Sequence, residues 1–221
     1  MRVGLARRSL SFSDRLGETA FAVIMVIIIN GYVAISKLNT GFLYIAVVNL
    51  GACAAWGFVD GCIYFISSSI DRNTENNQLI RLKSLTSNES GITQAKATLE
   101  DTFLNTFDEK GKDAIAREII KHIPNAKIGT NKIITRKEAQ GWLSIILLYL
   151  GTGFLLALPF LVLPNKINAW LISNIAGCAW LFWYGTQLGR IAGRHRLFFG
   201  LLLAAFGIAF LTVSYIVWAR P

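Results

Sequence analysis

The sequence predicts an all-α polytopic membrane protein with five transmembrane helices and a small helical cytoplasmic domain between the second and the third. Hydrophobic residues make up 53% of the 221 residues and charged residues only 16%, with a mean hydropathy of +0.48. A soluble domain of this size rarely carries so little charge, and apolar stretches of about 18 residues or more are candidates for membrane helices. The five apolar stretches are residues 19–36, 41–70, 142–163, 168–188 and 197–219.

The distribution of basic residues predicts the topology. Nineteen of the 22 Lys and Arg residues lie in the amino-terminal tail, the 71–138 insert or the 189–196 turn, all on one side of the predicted membrane. Only Lys37, Lys166 and Arg220 fall on the other side. This positive-inside pattern places the amino terminus and the insert in the cytoplasm and the carboxyl terminus outside. The net charge of +9 therefore reflects topology, and we expect no nucleic-acid partner.

Residues 1–17 are predicted to be a basic cytoplasmic tail, and residues 18–70 to hold the first two transmembrane helices. Glu18 opens the first of these helices and shares a helical face with Met25. Two interpretations of Glu18 stay open. It is either a residue favoured at a helix start by the helix dipole, or a carboxylate at the cytoplasmic mouth of a polar path, with Met25 one level deeper.

Asp60 is the only ionised group inside the second apolar stretch. A carboxylate near the centre of a membrane helix costs about 2.5–3.5 kcal/mol on insertion scales, so it requires a partner, water or a transported ligand. Asp60 belongs to a polar stripe on one helical face: Asn49, Cys53, Trp56, Asp60 and Tyr64. This stripe is either a hydrogen-bonded seam between helices or a cation path. Gly57 and Gly61 flank Asp60 and permit close approach by another helix or by a ligand.

The insert at residues 71–138 holds twelve basic and ten acidic residues and predicts a small helical domain, with polar joints at 73–77 and 86–91. Its candidate metal-collecting side chains are Glu100, Asp101, Asp108, Glu109, Glu118 and His122. Glu118 and His122 are four residues apart, so on a helix they share a face and either chelate a metal or form an ordinary surface pair. A solvated charged face is the simpler interpretation of the whole set, because two ligands do not make a metal site.

Residues 139–221 are predicted to hold the last three transmembrane helices. Pro159 removes a backbone donor from the third and predicts a kink or a free carbonyl oxygen at depth. Asn174 in the fourth is a candidate to reach across to the stripe that carries Asp60. The turn before the fifth holds Arg190, Arg194 and Arg196, which suit the phosphates of lipid headgroups.

Several of these stretches together resemble a bacterial and archaeal branch of the vacuolar iron transporter family. The matching stretches, in order, are residues 55–61 (AWGFVDG), 158–160 (LPF), 173–174 (SN) and 189–193 (GRIAG). The resemblance implies a homodimer, in the inner or plasma membrane of a prokaryote, that moves Fe²⁺ or Mn²⁺ in exchange for protons. It also implies that acidic residues and methionines of the first two helices line the path, and that the insert collects metal. The chain departs from the family pattern at Ile24-Met25, where an Asp-Gly pair is expected, and in an insert poor in Glu and Met.

The sequence and the resemblance together predict a divalent-metal transporter in the lipid bilayer, with no tightly bound cofactor. Asp60 is the expected central ligand and proton-linked group, and Glu18 the carboxylate on the cytoplasmic side. The softer partners are expected to be Asn49, Asn174 and Met25, and Tyr64 is a further candidate on the transport path. The alternative is a non-transporting membrane scaffold or regulator whose cytoplasmic domain binds a partner. We expect no enzyme, because the sequence has no Ser/His, HExxH or paired-Asp arrangement.

Overall fold

Helix is the only regular secondary structure in the part of the chain that the computed structural model describes, namely residues 10, 12–35, 41–85, 88–99, 106–126, 129 and 134–219. This agrees with the predicted all-α class. A 3-10 turn, Ile123–Asn125, follows the fourth helix. The seven α-helices are α1 (Phe12–Ile35), α2 (Phe42–Lys83), α3 (Glu89–Thr98), α4 (Glu109–His122), α5 (Arg136–Val162), α6 (Lys166–Ile191) and α7 (Arg196–Ala219).

Three of these helices are long and apolar enough to cross a membrane, judged on the described residues alone. They are Leu43–Lys83, Arg136–Val162 and Arg196–Val213. Helix α6 is also long enough, but Asn, Gln, Trp and Tyr side chains make it less apolar. The length and composition of the three apolar helices fit a membrane protein.

Helix α2 is longer than predicted. The expected polar joint at residues 73–77 does not interrupt it, and the helix continues through 42 residues to Lys83. This is about twice the length that a membrane requires. The physical reason lies in the sequence, because residues 62–83 contain neither Gly nor Pro, the residues that most strongly break a helix. Polar side chains alone do not end a helix when its backbone hydrogen bonds can continue.

The described residues divide into two compact units, with α2 running through both. The first unit comprises the described residues up to Phe65 together with those from Arg136 onward. Helix α1 is central to this unit, because it contacts α5, α6 and α7. Its buried face consists of Ala22, Val23, Val26 and Ile27, all fully shielded from solvent. The core of the first unit is therefore built around one apolar helix.

Glycines let α6 and α7 pack backbone against backbone. A Cβ atom at Gly185 would overlap the Phe199 carbonyl and lie 2.7 Å from the Cα of Gly200. A Cβ at Gly189 would lie 2.9 Å from the Cα of Arg196. Between the two helices, Gly193 has a φ of 63°, a left-handed conformation that glycine adopts without strain. These contacts fix a tight helical hairpin.

Helices α2 and α5 pack antiparallel at equally short range. Gly153 faces Cys53, Gly57 faces Tyr149, and Gly61 faces Trp142, each at a distance that leaves no room for a larger residue. Small residues allow this close approach in helix pairs. The pairing fixes the register between α2 and α5, and this register places the α5 residues next to Asp60.

The second unit comprises the described residues from Ile66 to Thr135. Its small core joins the end of α2 to α3 and α4 through five buried side chains: Leu82, Ile92, Ala95, Ala116 and Ile120. Asn88 caps α3 by accepting a hydrogen bond from the Gly91 amide at 2.8 Å. Such caps satisfy amides that the first helical turn leaves unpaired.

Candidate functional site

A cavity of about 440 Å³ lies among α1, α2 and α5 of the first unit. Helix α1 contributes Phe21, Ile24, Met25 and Ile28; helix α2 contributes Trp56 and Asp60; helix α5 contributes Tyr149. The walls are thus almost wholly apolar, and Asp60 is the only acidic side chain among the lining residues. A single carboxylate in apolar walls makes this cavity the strongest candidate site in the described chain.

Tyr149 is the direct partner of Asp60. Its hydroxyl donates a hydrogen bond to Oδ2 of Asp60. Tyr149 is only 2% exposed, and its position depends on the glycine three residues before Asp60. A Cβ atom at Gly57 would lie 2.8 Å from the Cβ of Tyr149, so a larger residue would push α5 away. Gly57 therefore brings the phenol within reach of the carboxylate.

Glu18 is near enough to Asp60 and Tyr149 to interact with both electrostatically. Glu18 lies near the start of α1, whereas Asp60 lines the cavity from α2. Two carboxylates from two different helices are therefore close to each other. Like charges in an apolar environment repel each other strongly, and either a proton or a cation relieves that repulsion. The pair is thus suited to bind a positive charge.

Two of the aromatic side chains that line the cavity are also exposed. Trp56, one helical turn before Asp60, is 53% exposed, and Phe21 is 64% exposed. Met25 adds a thioether to the wall. A tryptophan ring attracts positive charge, so the wall of the cavity combines an aromatic group, a thioether and a carboxylate.

Sequence reasoning missed Tyr149. Its signal is a lone phenol in an apolar helix, because a buried tyrosine hydroxyl needs a hydrogen-bond partner. The predicted residue Tyr64 does not line the cavity, and its ring instead lies against Gly141 of α5. The structure therefore gathers Asp60, Met25 and Glu18, adds Tyr149, and places Tyr64 in the packing between α2 and α5.

Asn49 belongs to a second polar cluster. It precedes Asp60 by eleven residues, a separation of about 16 Å along a helix. Its side-chain amide donates to Asn30 Oδ1 at 3.2 Å, and the Asn30 amide donates to Ser173 Oγ at 2.9 Å. Ser173 donates in turn to the Leu156 carbonyl at 2.8 Å. These bonds join α1, α2, α5 and α6, so Asn49 lies in a hydrogen-bonded seam between helices.

Asn174 does not hydrogen-bond to Asp60. Its amide donates to the Trp170 carbonyl of its own helix at 2.8 Å, and the Trp170 indole donates to the Asn30 backbone carbonyl at 2.8 Å. Pro159 lies inside α5, which continues past it to Val162. Since proline has no N–H, the Leu155 carbonyl lacks its usual helical donor. Neither Asn174 nor Pro159 is therefore among the residues that line the cavity.

We expect Asn30→Ala to lower the apparent thermal unfolding midpoint of the detergent-solubilised protein. The change removes two interhelical hydrogen bonds, which together are worth about 1–2 kcal/mol inside a membrane. Asn77→Ala is the matched control because Asn77 is exposed on α2 and alanine favours helix there. Equal midpoints for Asn30→Ala and Asn77→Ala would show that the seam contributes nothing to stability.

The candidate ligands of the insert are engaged in caps and surface pairs where they are described. Asp108 caps α4 by accepting from the Gly111 amide at 3.0 Å. Glu109 pairs with Lys112 at 2.8 Å and with Lys96 at 3.2 Å, and these contacts hold the pKa of Glu109 below its usual range.

Glu118 forms a similar surface pair within α4. Its Oε1 lies 2.8 Å from His122 Nε2, and this hydrogen bond is the main cause that lowers the pKa of Glu118. The remaining candidates, Glu100 and Asp101, lie outside the described residues. The described part of the insert thus resembles a solvated charged face.

No three His, Cys, Asp or Glu side chains come together as a metal site among the described residues. The cavity offers Asp60 with Glu18 nearby, and its other possible donors are the Tyr149 hydroxyl and the Met25 thioether. A divalent ion held there would keep water among its ligands, as Mg²⁺ and similar hard ions often do in proteins.

No family model matches the chain, and no curated protein matches it. The functional conclusion therefore rests on the geometry of the cavity and on the composition of the helices around it.

Proposed function

We propose that this protein is an integral membrane transporter that moves a divalent cation, Fe²⁺ or Mn²⁺, in exchange for protons. The observation that carries the proposal is the placement of Asp60 in an apolar cavity, hydrogen-bonded by Tyr149 and within electrostatic range of Glu18. A carboxylate is rarely kept in such surroundings without a functional reason.

The proposed membrane layout has five spans. These are α1, the apolar first part of α2, α5, α6 and α7, with the amino terminus and the 71–138 insert in the cytoplasm and the carboxyl terminus outside. The length and composition of three helices support this layout, as does the one-sided distribution of basic residues. We propose a homodimer in a prokaryotic inner membrane.

Exchange follows from the cost of an isolated buried charge. A carboxylate in apolar surroundings is stable either with a positive partner or as the protonated acid. In the proposed cycle, a cation and a proton would therefore replace each other beside the carboxylates of the cavity. Carboxylate and hydroxyl oxygens suit Mn²⁺, and the Met25 sulfur would favour the softer Fe²⁺.

A non-transporting scaffold is the second candidate function, and the seam of Asn30, Asn49 and Ser173 favours it. This seam locks four helices together, and the described chain holds no group of three metal-ligating residues. In that case the Tyr149–Asp60 bond would be one more structural contact.

The test is uptake of Mn²⁺ and Fe²⁺ by purified protein in proteoliposomes under an imposed pH gradient. We expect uptake that depends on the gradient and is absent from liposomes without protein. Release of protons during uptake, followed with a trapped pH indicator, would support exchange. A monodisperse, helical protein that takes up neither ion would contradict the transport proposal and favour the scaffold.

A further inference from the structure

Positive charge accumulates at the beginning of α7, where the fold itself disfavours it. Arg194, His195 and Arg196 stand at the amino-terminal end of this helix, and its first turn contains no acidic residue. The amino-terminal end of a helix carries the positive pole of its dipole and destabilises nearby cations. Within the described residues, neither of these arginines has an ion-pair partner, and both are exposed.

The last turn of α6 adds Arg190 to this cluster. Gly189 approaches the backbone of Arg196 so closely that a Cβ atom would lie 2.9 Å from the Arg196 Cα. The turn is closed by Gly193 and by a hydrogen bond from the Arg194 amide to the Gly189 carbonyl at 2.9 Å. Three arginines are therefore held within one short turn by backbone contacts.

The same turn borders a cavity of about 690 Å³. Gly193, Arg194, His195, Phe198 and Phe199 line it, so one part of its wall is cationic and the other aromatic. The Phe199 amide donates to the His195 carbonyl at 3.3 Å, which leaves the amides before it in the first turn of α7 without a helical acceptor, and such amides are donors for anions. Arg194 thus borders this space together with two aromatic rings, and Arg190 and Arg196 belong to the same turn.

We propose that this cavity binds the phosphate of an anionic membrane lipid. Helix α7 is a candidate span that begins at Arg196, so the turn lies at the edge of the apolar layer. Leu197 and Phe198, directly beside the arginines, are 68% and 61% exposed. A lipid satisfies both parts of the surface, with its phosphate on the guanidinium groups and its acyl chains along the exposed apolar side chains. A free phosphate would leave the apolar part uncovered.

The first test is a lipid titration of the purified full chain, followed by native mass spectrometry, with phosphatidylglycerol and phosphatidylcholine of identical acyl chains. We expect the wild type to retain phosphatidylglycerol selectively. The variant Arg190→Gln/Arg194→Gln/Arg196→Gln should bind it about 100-fold more weakly, since each arginine near an anionic lipid contributes roughly a fivefold factor. Arg81→Gln/Lys110→Gln/Arg117→Gln removes the same charge from exposed positions in the second unit and should retain wild-type binding.

A second variant distinguishes binding at a site of defined geometry from nonspecific attraction by surface charge. Arg190→Lys/Arg194→Lys/Arg196→Lys keeps every charge but loses the paired donors with which a guanidinium grips phosphate. We expect it to bind phosphatidylglycerol about tenfold more weakly than the wild type. Unchanged binding by the lysine variant would overturn the site, as would equal losses in the control variant. Full displacement of the lipid by millimolar inorganic phosphate would assign the site to a soluble anion and overturn the lipid proposal.

Discussion

Replacing Asp60 by asparagine is expected to reduce Mn²⁺ uptake by at least about 30-fold, because removing one partner of a desolvated charge pair costs about 2–5 kcal/mol. Asparagine has nearly the same size and keeps an oxygen that can accept the Tyr149 hydroxyl hydrogen bond. The packing of α2 against α5 should therefore survive, and the apparent unfolding midpoint should change little. Proton release during uptake should disappear together with the uptake.

Asp71→Asn is the matched control for this experiment. Asp71 lies on the same helix, eleven residues further on, and is exposed. The control should transport at the wild-type rate. If Asp60→Asn instead unfolds the protein or prevents its expression while any remaining folded protein transports normally, Asp60 is part of a structural seam and the proposed role is wrong.

Replacing Gly185 by alanine is expected to destabilise the protein by about 3 kcal/mol, at the upper end of the range for overpacked interiors. The added Cβ would overlap the Phe199 carbonyl and the Cα of Gly200, both of which belong to the backbone of α7. No side-chain rotation relieves a clash with backbone, so the two helices must separate. The measurement is the apparent thermal unfolding midpoint in detergent, compared with that of the wild type.

Gly151→Ala is the control, because the same substitution there should not lower the stability. Gly151 lies inside α5, and a Cβ atom there would meet nothing within 4 Å. Alanine is a better helix former than glycine by roughly 0.5–1 kcal/mol, so this variant should be as stable as the wild type or slightly more stable. A Gly185→Ala protein as stable as Gly151→Ala would contradict the close packing of α6 on α7.

Long apolar stretches were sufficient to predict the helices of the first unit. In a membrane, a single apolar segment satisfies its backbone hydrogen bonds internally only as a helix. The bounds of α6 and α7 lie within a few residues of the predicted stretches. Helix α5 ends where predicted but begins six residues earlier, at Arg136. The joint predicted at residues 73–77 was wrong. The polar composition of these residues suggested that the helix breaks there. Because the segment has no Gly or Pro, α2 instead continues through it.

The candidate site was only partly predictable. Asp60 stands out in the sequence because its burial is costly, and Met25 lines the same cavity. Tyr149 comes from a helix that begins about 75 residues after Asp60, and its position depends on the register that Gly57 and Gly153 set between α2 and α5. No local sequence pattern predicts the register between α2 and α5. The single stripe predicted on α2 also divides, since Asn49 meets Asn30 whereas Asp60 meets Tyr149.

The central claim is that a cation binds at Asp60, and equilibrium binding of Mn²⁺ to the detergent-solubilised protein tests it most directly. Electron paramagnetic resonance reports the free Mn²⁺ that remains as protein is added. We predict one saturable site per chain in the wild type and in Asp71→Asn, and affinity at least about 30-fold weaker in Asp60→Asn. Equal binding by wild type and Asp60→Asn, or no saturable binding by well-folded wild type, would contradict the account.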